Sequence, residues 1–102
     1  MVQAFEGRVE PVVDDDGLLR RRDEWVALSP IEARLARAFL DHRGQLLGRK
    51  ALGNAGWPDG VPNARSVDSR IKTLRRRVGP FGLRIHTVRG RGYLADLDPN
   101  VE

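Results

Sequence analysis

The sequence predicts a single α+β domain in which an N-terminal antiparallel sheet, three helices and a C-terminal β-hairpin follow one another. Three observations predict this fold class. The chain has 102 residues, which is the size of one ordinary domain. Runs of strand-forming residues lie at both ends, and helical apolar stripes lie between them. We expect the sheet over 1–28, the helices and hairpin over 29–97 and a tail over 98–102.

Three strands are predicted in the N-terminal sheet, over 8–13, 18–22 and 24–28. The first two flank three aspartates and Gly17, and an Asp-Gly pair between strand-forming runs is typical of a hairpin turn. Three adjacent aspartates could also bind a metal ion or accept a phosphoryl group. A solvated turn is the favoured interpretation, since a phosphate-accepting aspartate needs a surrounding α/β domain that this chain is too short to contain.

The first helix is predicted from a capping box at Ser29. The Ser29 hydroxyl can accept from an amide of the first turn, Pro30 suits the first helical position, and Glu32 can bond back to the cap. Gly44 is expected to end this helix. Its apolar stripe consists of Ile31, Leu35, Ala38 and Phe39.

A short second helix is predicted after Gly48, with Leu52 and Ala55 facing inward and Gly56 at its end. The segment that follows, 58–63, is rich in Pro, Gly, Asp and Asn. These residues favour turns, so the sequence predicts a loop between the second and third helices.

The third helix, predicted over 64–78, has two chemically different faces. Its narrow apolar stripe, at helical spacing, consists of Val67, Ile71, Leu74 and Val78. The opposite face carries cationic and hydroxyl side chains, namely Arg65, Ser69, Lys72, Thr73 and Arg76. Gly79, followed by Pro80, is expected to stop the helix as its C′ residue.

A β-hairpin with a basic tip is predicted over 83–97. Residues 83–88 alternate as a half-buried strand, and 93–97 form the returning strand. The turn between them contains Arg89 and Arg91, each followed by a glycine.

The charge of the chain is concentrated in the third helix and the hairpin. The formal net charge is only +4, yet residues 63–92 hold nine basic and one acidic side chain, whereas 1–28 and 93–102 each have a net charge of −3. Such asymmetry indicates a polyanionic partner. A basic helix fits the major groove of DNA and an arginine-bearing hairpin can enter the minor groove. The pattern therefore predicts a winged helix-turn-helix that binds double-stranded DNA.

Several other functions are excluded by composition. The chain has no cysteine, which excludes disulfides, thiolate catalysis and cysteine-ligated metals. His42 and His86 lack a ligand set, and neither paired carboxylates nor a phosphate-binding loop occur, so we expect no enzyme, cofactor, metal or small-molecule substrate. No apolar run approaches the roughly 20 residues of a membrane span. We expect a cytoplasmic protein that is nucleoid-associated when bound to DNA.

Three motifs occur in a fixed order: LSPIE at 28–32, RSVDSRIKTLRRRV at 65–78 and IHTVRGRGY at 85–93. Together they resemble the OmpR/PhoB-type winged-helix effector domain of bacterial response regulators in two-component systems. The resemblance covers nearly the entire chain, over about residues 5–97, and the combination of the three motifs is highly specific.

The resemblance implies a role for each matching residue. Base-facing positions would be Ser66, Asp68, Ser69 and Thr73. Phosphate-contacting positions would be Trp57, Arg65, Arg70, Lys72, Arg75, Arg76 and Thr87, although Trp57 is more often a packing residue. The minor-groove positions of the wing would be Arg89 and Arg91. Apart from the resemblance, Arg84 and Arg91 are candidates for auxiliary phosphate contacts. The loop 58–63 corresponds to the segment that touches RNA polymerase in activating members, and a second copy is expected on a direct-repeat site.

The chain also departs from the family pattern. Thr73 stands where family members often carry an arginine, which removes a bidentate guanine reader and predicts weaker direct readout. Gly48 replaces a Ser or Thr cap and Gly53 lies inside the second helix, so this helix is expected to be less stable. No receiver domain precedes the winged helix, so the chain is either an excised effector domain or a stand-alone regulator.

Two alternatives to DNA binding remain open. The basic face could dock an acidic protein partner, such as a transcription complex, without specific DNA readout, or the domain could bind RNA. The hydroxyl groups of Ser66, Ser69 and Thr73 favour DNA over an acidic protein. The basic face has no aromatic stacking platform, which counts against single-stranded RNA.

Overall fold

The computed structural model describes residues 10–98, which form three helices and two small antiparallel sheets. The start of the strand predicted at 8–13 and the tail beyond Asp98 lie outside the described residues. The elements in chain order are β1 (Val12–Val13), β2 (Leu18–Arg21), β3 (Glu24–Ala27), α1 (Pro30–Asp41), β4 (Leu46–Leu47), α2 (Arg49–Gly56), α3 (Ser66–Val78), β5 (Leu83–Val88) and β6 (Gly92–Leu97). The predicted fold class is confirmed.

The N-terminal sheet has the order β1-β2-β3, and its first turn is built around Asp14. The Asp14 carboxylate accepts from the backbone amides of Asp16 and Leu18 at 2.9 and 3.0 Å. Arg20 also bonds to this carboxylate, and together these donors hold the pKa of Asp14 below its usual range. Gly17, at φ +81°, completes the turn. The geometry is that of a capped hairpin turn.

The capping box of α1 is confirmed. The Ser29 hydroxyl accepts from the Glu32 amide at 3.2 Å, and the Glu32 carboxylate accepts from the Ser29 amide at 3.0 Å. The buried face is wider than the predicted stripe, since Ala33 and Ala36 are buried whereas Ala38 is only half-buried. The cause is that α1 packs against α2 on one side and against α3 and both sheets on others.

The helix α2 begins at Arg49, and its cap, Gly48, offers no side-chain hydrogen bond. Leu52 is buried as predicted. A Cβ at Gly53 would lie 2.9 Å from the Cγ2 atom of Val61. The glycine that weakens the helix therefore makes room for the loop that follows it.

The helix α3 begins at Ser66, two residues later than predicted. The Asn63 side chain accepts from the Arg65 amide at 2.9 Å and holds the preceding turn. All four residues of the predicted stripe are buried. The helix ends at Val78 as predicted, but Gly79 is its C-cap and not its C′ residue: Gly79 has helical φ and ψ, and the chain continues as a 3-10 turn to Phe81. Pro80 fits an early position of this turn, and the left-handed residue that ends the turn is Gly82, at φ +89°.

The C-terminal sheet has the order β4-β6-β5, and sequence reasoning did not identify β4. Two residues are too short a run to produce a periodic signal. At Gly92, φ is +138° and a Cβ would lie 2.2 Å from the Leu47 carbonyl oxygen. Only glycine permits β4 to approach the hairpin this closely.

Candidate nucleic-acid interface

The face of α3 opposite its buried stripe is open to solvent. Ser69, Lys72 and Arg76 are exposed, and Ser66, Arg70 and Thr73 are half-buried on the same side. Within residues 10–98 the side chains of Arg70, Lys72 and Arg76 form no ion pair or hydrogen bond. The sequence therefore correctly predicted a cationic face with short hydroxyl groups among its charges.

A cleft of about 530 Å³ lies beside α3 and the loop before it. It brings the predicted base-facing hydroxyls together with two predicted phosphate-contacting arginines. Its lining residues are Trp57, Pro62, Asn63, Arg65, Ser66, Ser69, Arg70 and Thr73. The arrangement offers hydroxyl groups and guanidinium groups to an anionic ligand that lies along the helix.

Trp57 is placed mainly in the core. It is 9% exposed and packs in the cluster that joins the two sheets and the three helices. Its small exposed part lines the cleft. Packing is therefore its principal role in the fold.

Asp68 is held by residues of two other elements. Its Oδ1 atom accepts from the Tyr93 hydroxyl at 2.5 Å and from Nε of Arg49 at 2.9 Å. The Tyr93 hydroxyl and the Arg49 guanidinium hold the pKa of Asp68 below its usual range. Burial, followed by the hydrogen bond to Asp68, raises the pKa of Tyr93. The first turn of α3 is thus joined to β6 and α2.

Arg49 was not identified from the sequence. Its guanidinium carbon lies 5.9 Å from the centroid of the Tyr93 ring, in addition to the ion pair with Asp68. Because Arg49 is 19 positions from Asp68 in the chain, no local motif connects them. The one sequence feature that could have drawn attention to Arg49 is its position as a basic residue directly after the Gly48 cap.

Arg75 and Thr87, both predicted to contact phosphates, contact each other. Arg75 donates through Nε to the Ile85 carbonyl at 2.9 Å and through Nη2 to the Thr87 hydroxyl oxygen at 3.0 Å. The hydroxyl hydrogen of Thr87 remains able to donate to a further acceptor. Arg75 thus holds β5 while Thr87 keeps one donor available.

Arg77, in the last turn of α3, is directed toward the protein. Its Nε lies 3.4 Å from the Glu32 carboxylate, which is only 2% exposed, and its Nη1 donates to the Ala27 carbonyl at 3.4 Å. A buried carboxylate needs such a partner. Arg77 therefore anchors the end of α3 to α1 and β3.

The tip of the hairpin presents two exposed arginines. Arg89 and Arg91 flank Gly90, which is at φ +73°, and neither guanidinium is paired within residues 10–98. The tip is therefore cationic and protrudes from the domain.

The outer face of the same hairpin is electrostatically different, because its charges are paired. Arg84 donates to both carboxylate oxygens of Asp96 at 3.1 and 3.3 Å, and Nε2 of His86 lies 3.0 Å from Oδ1. The hydrogen bond from His86 and the two from Arg84 hold the pKa of Asp96 below its usual range. Arg84 is thus less available for an auxiliary phosphate contact than the two tip arginines.

Between residues 10 and 98, no three His, Cys, Asp or Glu side chains are grouped so as to hold a metal ion. In the same part of the chain, no helix has the length and apolar character needed to cross a membrane.

The chain is similar to known transcriptional regulators. The family model described as "Transcriptional regulatory protein, C terminal" matches residues 22–95. The transcriptional regulatory protein CseB of Streptomyces avermitilis is 39% identical over 83 residues, which are 79% of this chain and 34% of CseB. The chain spans about a third of the length of the first curated relatives that it matches.

Solved structures show the same architecture. The C-terminal domain of the nisin resistance regulator NsrR superposes with a TM-score of 0.72 at 31% identity, covering 92% of this chain and 95% of that domain. The DNA-binding domain of Klebsiella pneumoniae RstA, solved in complex with the RstA box, has a TM-score of 0.69 at 29% identity, covering 89% of this chain and 93% of that one.

Proposed function

The chain belongs to the family of C-terminal domains of transcriptional regulatory proteins, and we propose that it regulates transcription by binding double-stranded DNA at specific sequences. Family membership confirms the resemblance to response-regulator effector domains and makes the chain a regulatory domain, not an enzyme. The observation that carries the proposal is the exposed face of α3, where unpaired cations surround short hydroxyl groups.

The dimensions of this face suit the major groove. A helix with its side chains is about 10–12 Å wide, and the major groove is about 12 Å wide. Small side chains at Ser66, Ser69 and Thr73 permit the helix backbone to come close to base edges. Arginine and lysine side chains around them can bond to phosphates and fix the register of the helix.

We assign the side chains around these small residues to contacts with the DNA phosphates and bases. Arg65, Arg70, Lys72, Arg76 and the Thr87 hydroxyl contact phosphates, with the edge of Trp57 beside them and Arg75 behind Thr87. Asp68 reaches the bases only through the part of its carboxylate that Tyr93 and Arg49 leave open. Since Thr73 cannot make a bidentate contact to guanine, groove shape carries much of the specificity, and phosphate contacts supply affinity and register.

The wing completes the interface. Arg89 enters the minor groove, where narrow A·T tracts concentrate negative potential, and Arg91 follows it or contacts the adjacent phosphates. Two copies on a direct-repeat site would double the contact surface of this small domain. The loop 58–63, held against α2 through Val61, is the surface that we propose for RNA polymerase.

Selection from a random duplex pool tests the proposal. We expect one enriched sequence motif, with a repeat if two copies bind. The variant carrying both Lys72→Ala and Arg76→Ala should lose most of the affinity for the selected site. Arg43→Ala is the matched control, because Arg43 pairs with Glu10 away from α3 and should bind like the parent.

Two results would refute this function. Failure to enrich any motif would exclude sequence-specific recognition. Equal binding to the selected duplex, to a scrambled duplex and to an acidic protein would instead favour the protein-docking alternative.

A further inference from the structure

We propose that Tyr93 and Arg75 are positioning residues that fix the wing relative to α3, so that minor-groove and major-groove contacts form together. This inference rests on the proposed function, in which α3 and the wing tip bind the same duplex. It concerns residues that do not themselves need to contact DNA. Two polar connections between α3 and the hairpin carry it.

The first connection joins the start of α3 to β6. The Tyr93 hydroxyl donates to Asp68 at 2.5 Å, a length typical of a hydrogen bond to an ionised carboxylate. Asp68 is also bonded to Arg49, which holds the carboxylate in place. Tyr93 is 6% exposed, so its ring is fixed by packing while its hydroxyl makes the bond.

The second connection joins the third turn of α3 to β5. Arg75 donates from two different nitrogens, to the Ile85 carbonyl and to the Thr87 hydroxyl. A guanidinium is planar and rigid, so two simultaneous bonds fix its orientation as well as its distance. The strand is therefore held at two positions, the backbone of Ile85 and the side chain of Thr87.

The two connections reach the hairpin at the same cross-strand residue pair. Thr87 and Tyr93 are directly opposed across the antiparallel pair β5–β6. Asp68 and Arg75 are seven residues apart, so they lie on nearly the same side of α3 and about 10 Å apart along its axis. One strand is thus held from the start of the helix and the other from its third turn. Rotation of the hairpin against the helix would have to break one of these connections.

The position of the wing tip follows from this geometry. Arg89 and Arg91 lie only two residues beyond Thr87 and Tyr93, so orienting that strand pair orients the tip. The residues of α3 between the two connections include Ser69, Lys72 and Thr73, which we assign to DNA. The same stretch of helix therefore holds the wing on one side and faces the duplex on the other.

A double-mutant cycle in DNA affinity tests the inference. Tyr93→Phe removes the hydroxyl alone, and Arg89→Ala removes the side chain at the tip. In the parent we expect Arg89→Ala to weaken binding to the selected duplex about tenfold, the cost of one good charged contact. In the Tyr93→Phe background we expect Arg89→Ala to weaken binding less than twofold, because the wing is no longer held in the minor groove.

Lys72→Ala provides the control cycle. Lys72 lies on α3 and does not depend on the wing, so its effect should be the same with Tyr93 or Phe at position 93. A purely structural role for Tyr93 would weaken binding of every variant by one common factor, through the lower folded fraction, and would leave both fold-effects unchanged. Folding of each variant is checked by thermal denaturation.

A second variant keeps the inference testable if Tyr93→Phe does not fold. Arg75→Lys keeps the positive charge but cannot bond to Ile85 and Thr87 with a planar pair of donors. It should also reduce the effect of Arg89→Ala to less than twofold.

The outcomes separate this inference from the proposed function. Loss of the Arg89 contribution in both backgrounds supports it. A tenfold effect of Arg89→Ala in all backgrounds overturns the positioning role and leaves DNA binding intact. No effect of Arg89→Ala in the parent overturns the minor-groove assignment of the wing, and the positioning role with it.

Discussion

The salt dependence of DNA binding should distinguish cations that face the duplex from cations that are paired within the protein. Six cations of the proposed interface form no ion pair within residues 10–98, and these are Arg65, Arg70, Lys72, Arg76, Arg89 and Arg91. Each phosphate neutralised contributes about −0.9 to the slope of log affinity against log salt. If all six act, the slope is about −5, and affinity falls about 10³-fold between 50 and 200 mM salt.

Lys72→Ala and Arg84→Ala form the matched pair for this measurement. Both variants lose one positive charge, but Arg84 is bonded to Asp96 whereas Lys72 has no partner in the described residues. Lys72→Ala should make the slope less negative by about 0.9, so its affinity falls about 3.5-fold less than the parent's over that salt range. Arg84→Ala should leave the slope unchanged.

Fluorescence anisotropy with a labelled duplex, repeated at several salt concentrations, gives the slopes. A parent slope near zero would refute an electrostatic interface. Equal changes for the two variants would show that internal pairing does not decide which cations contact phosphates, and the assignment of the interface would then be wrong.

Three further predictions follow from individual residues. Arg89→Ala should weaken binding chiefly to sites with A·T-rich flanks, and equal loss on every flank in competition assays would reject minor-groove insertion. Gly92→Ala should lower the free energy of unfolding by about 3 kcal/mol, because its positive φ is strained and the new Cβ meets the Leu47 oxygen. Gly44→Ala, where φ is +78° but the space is open, should cost only about 1 kcal/mol in the same urea titrations. Asp96 has a lowered pKa, so its ionised form stabilises the fold above its ordinary pKa of 3.8, and this stability is lost as pH falls through the folded value. Asp96→Asn should therefore lose stability less steeply than the parent as pH falls below the ordinary pKa of 3.8, and an unchanged acid profile would contradict that reasoning.

The features that the sequence predicted correctly are local. The capping box at Ser29 and the stripe from Val67 to Val78 depend on residues three or four positions apart, whose interactions a helix imposes directly. The cationic face of α3 follows from the same periodicity. Such patterns can be identified without knowing how the elements pack.

The features that were missed depend on residues distant in the chain. Asp68 is 25 positions from Tyr93, and Arg75 is 12 from Thr87, so periodicity could mark these side chains as polar but not as partners. β4 exists because Gly92 permits a close approach, and the chain continues from Gly79 as a 3-10 turn that places Phe81 in the core. In each case tertiary packing decided the outcome.

The arrangement of side chains around α3 has a consequence for how the DNA specificity that we propose for this domain can change. The buried stripe and the connections at Asp68 and Arg75 occupy one side of the helix, whereas Ser69, Lys72 and Thr73 make no contact that the fold requires. Substitutions at these three positions can therefore accumulate without loss of stability. The domain can acquire new binding sites during evolution, or by design, through changes at a few surface positions on an unaltered scaffold.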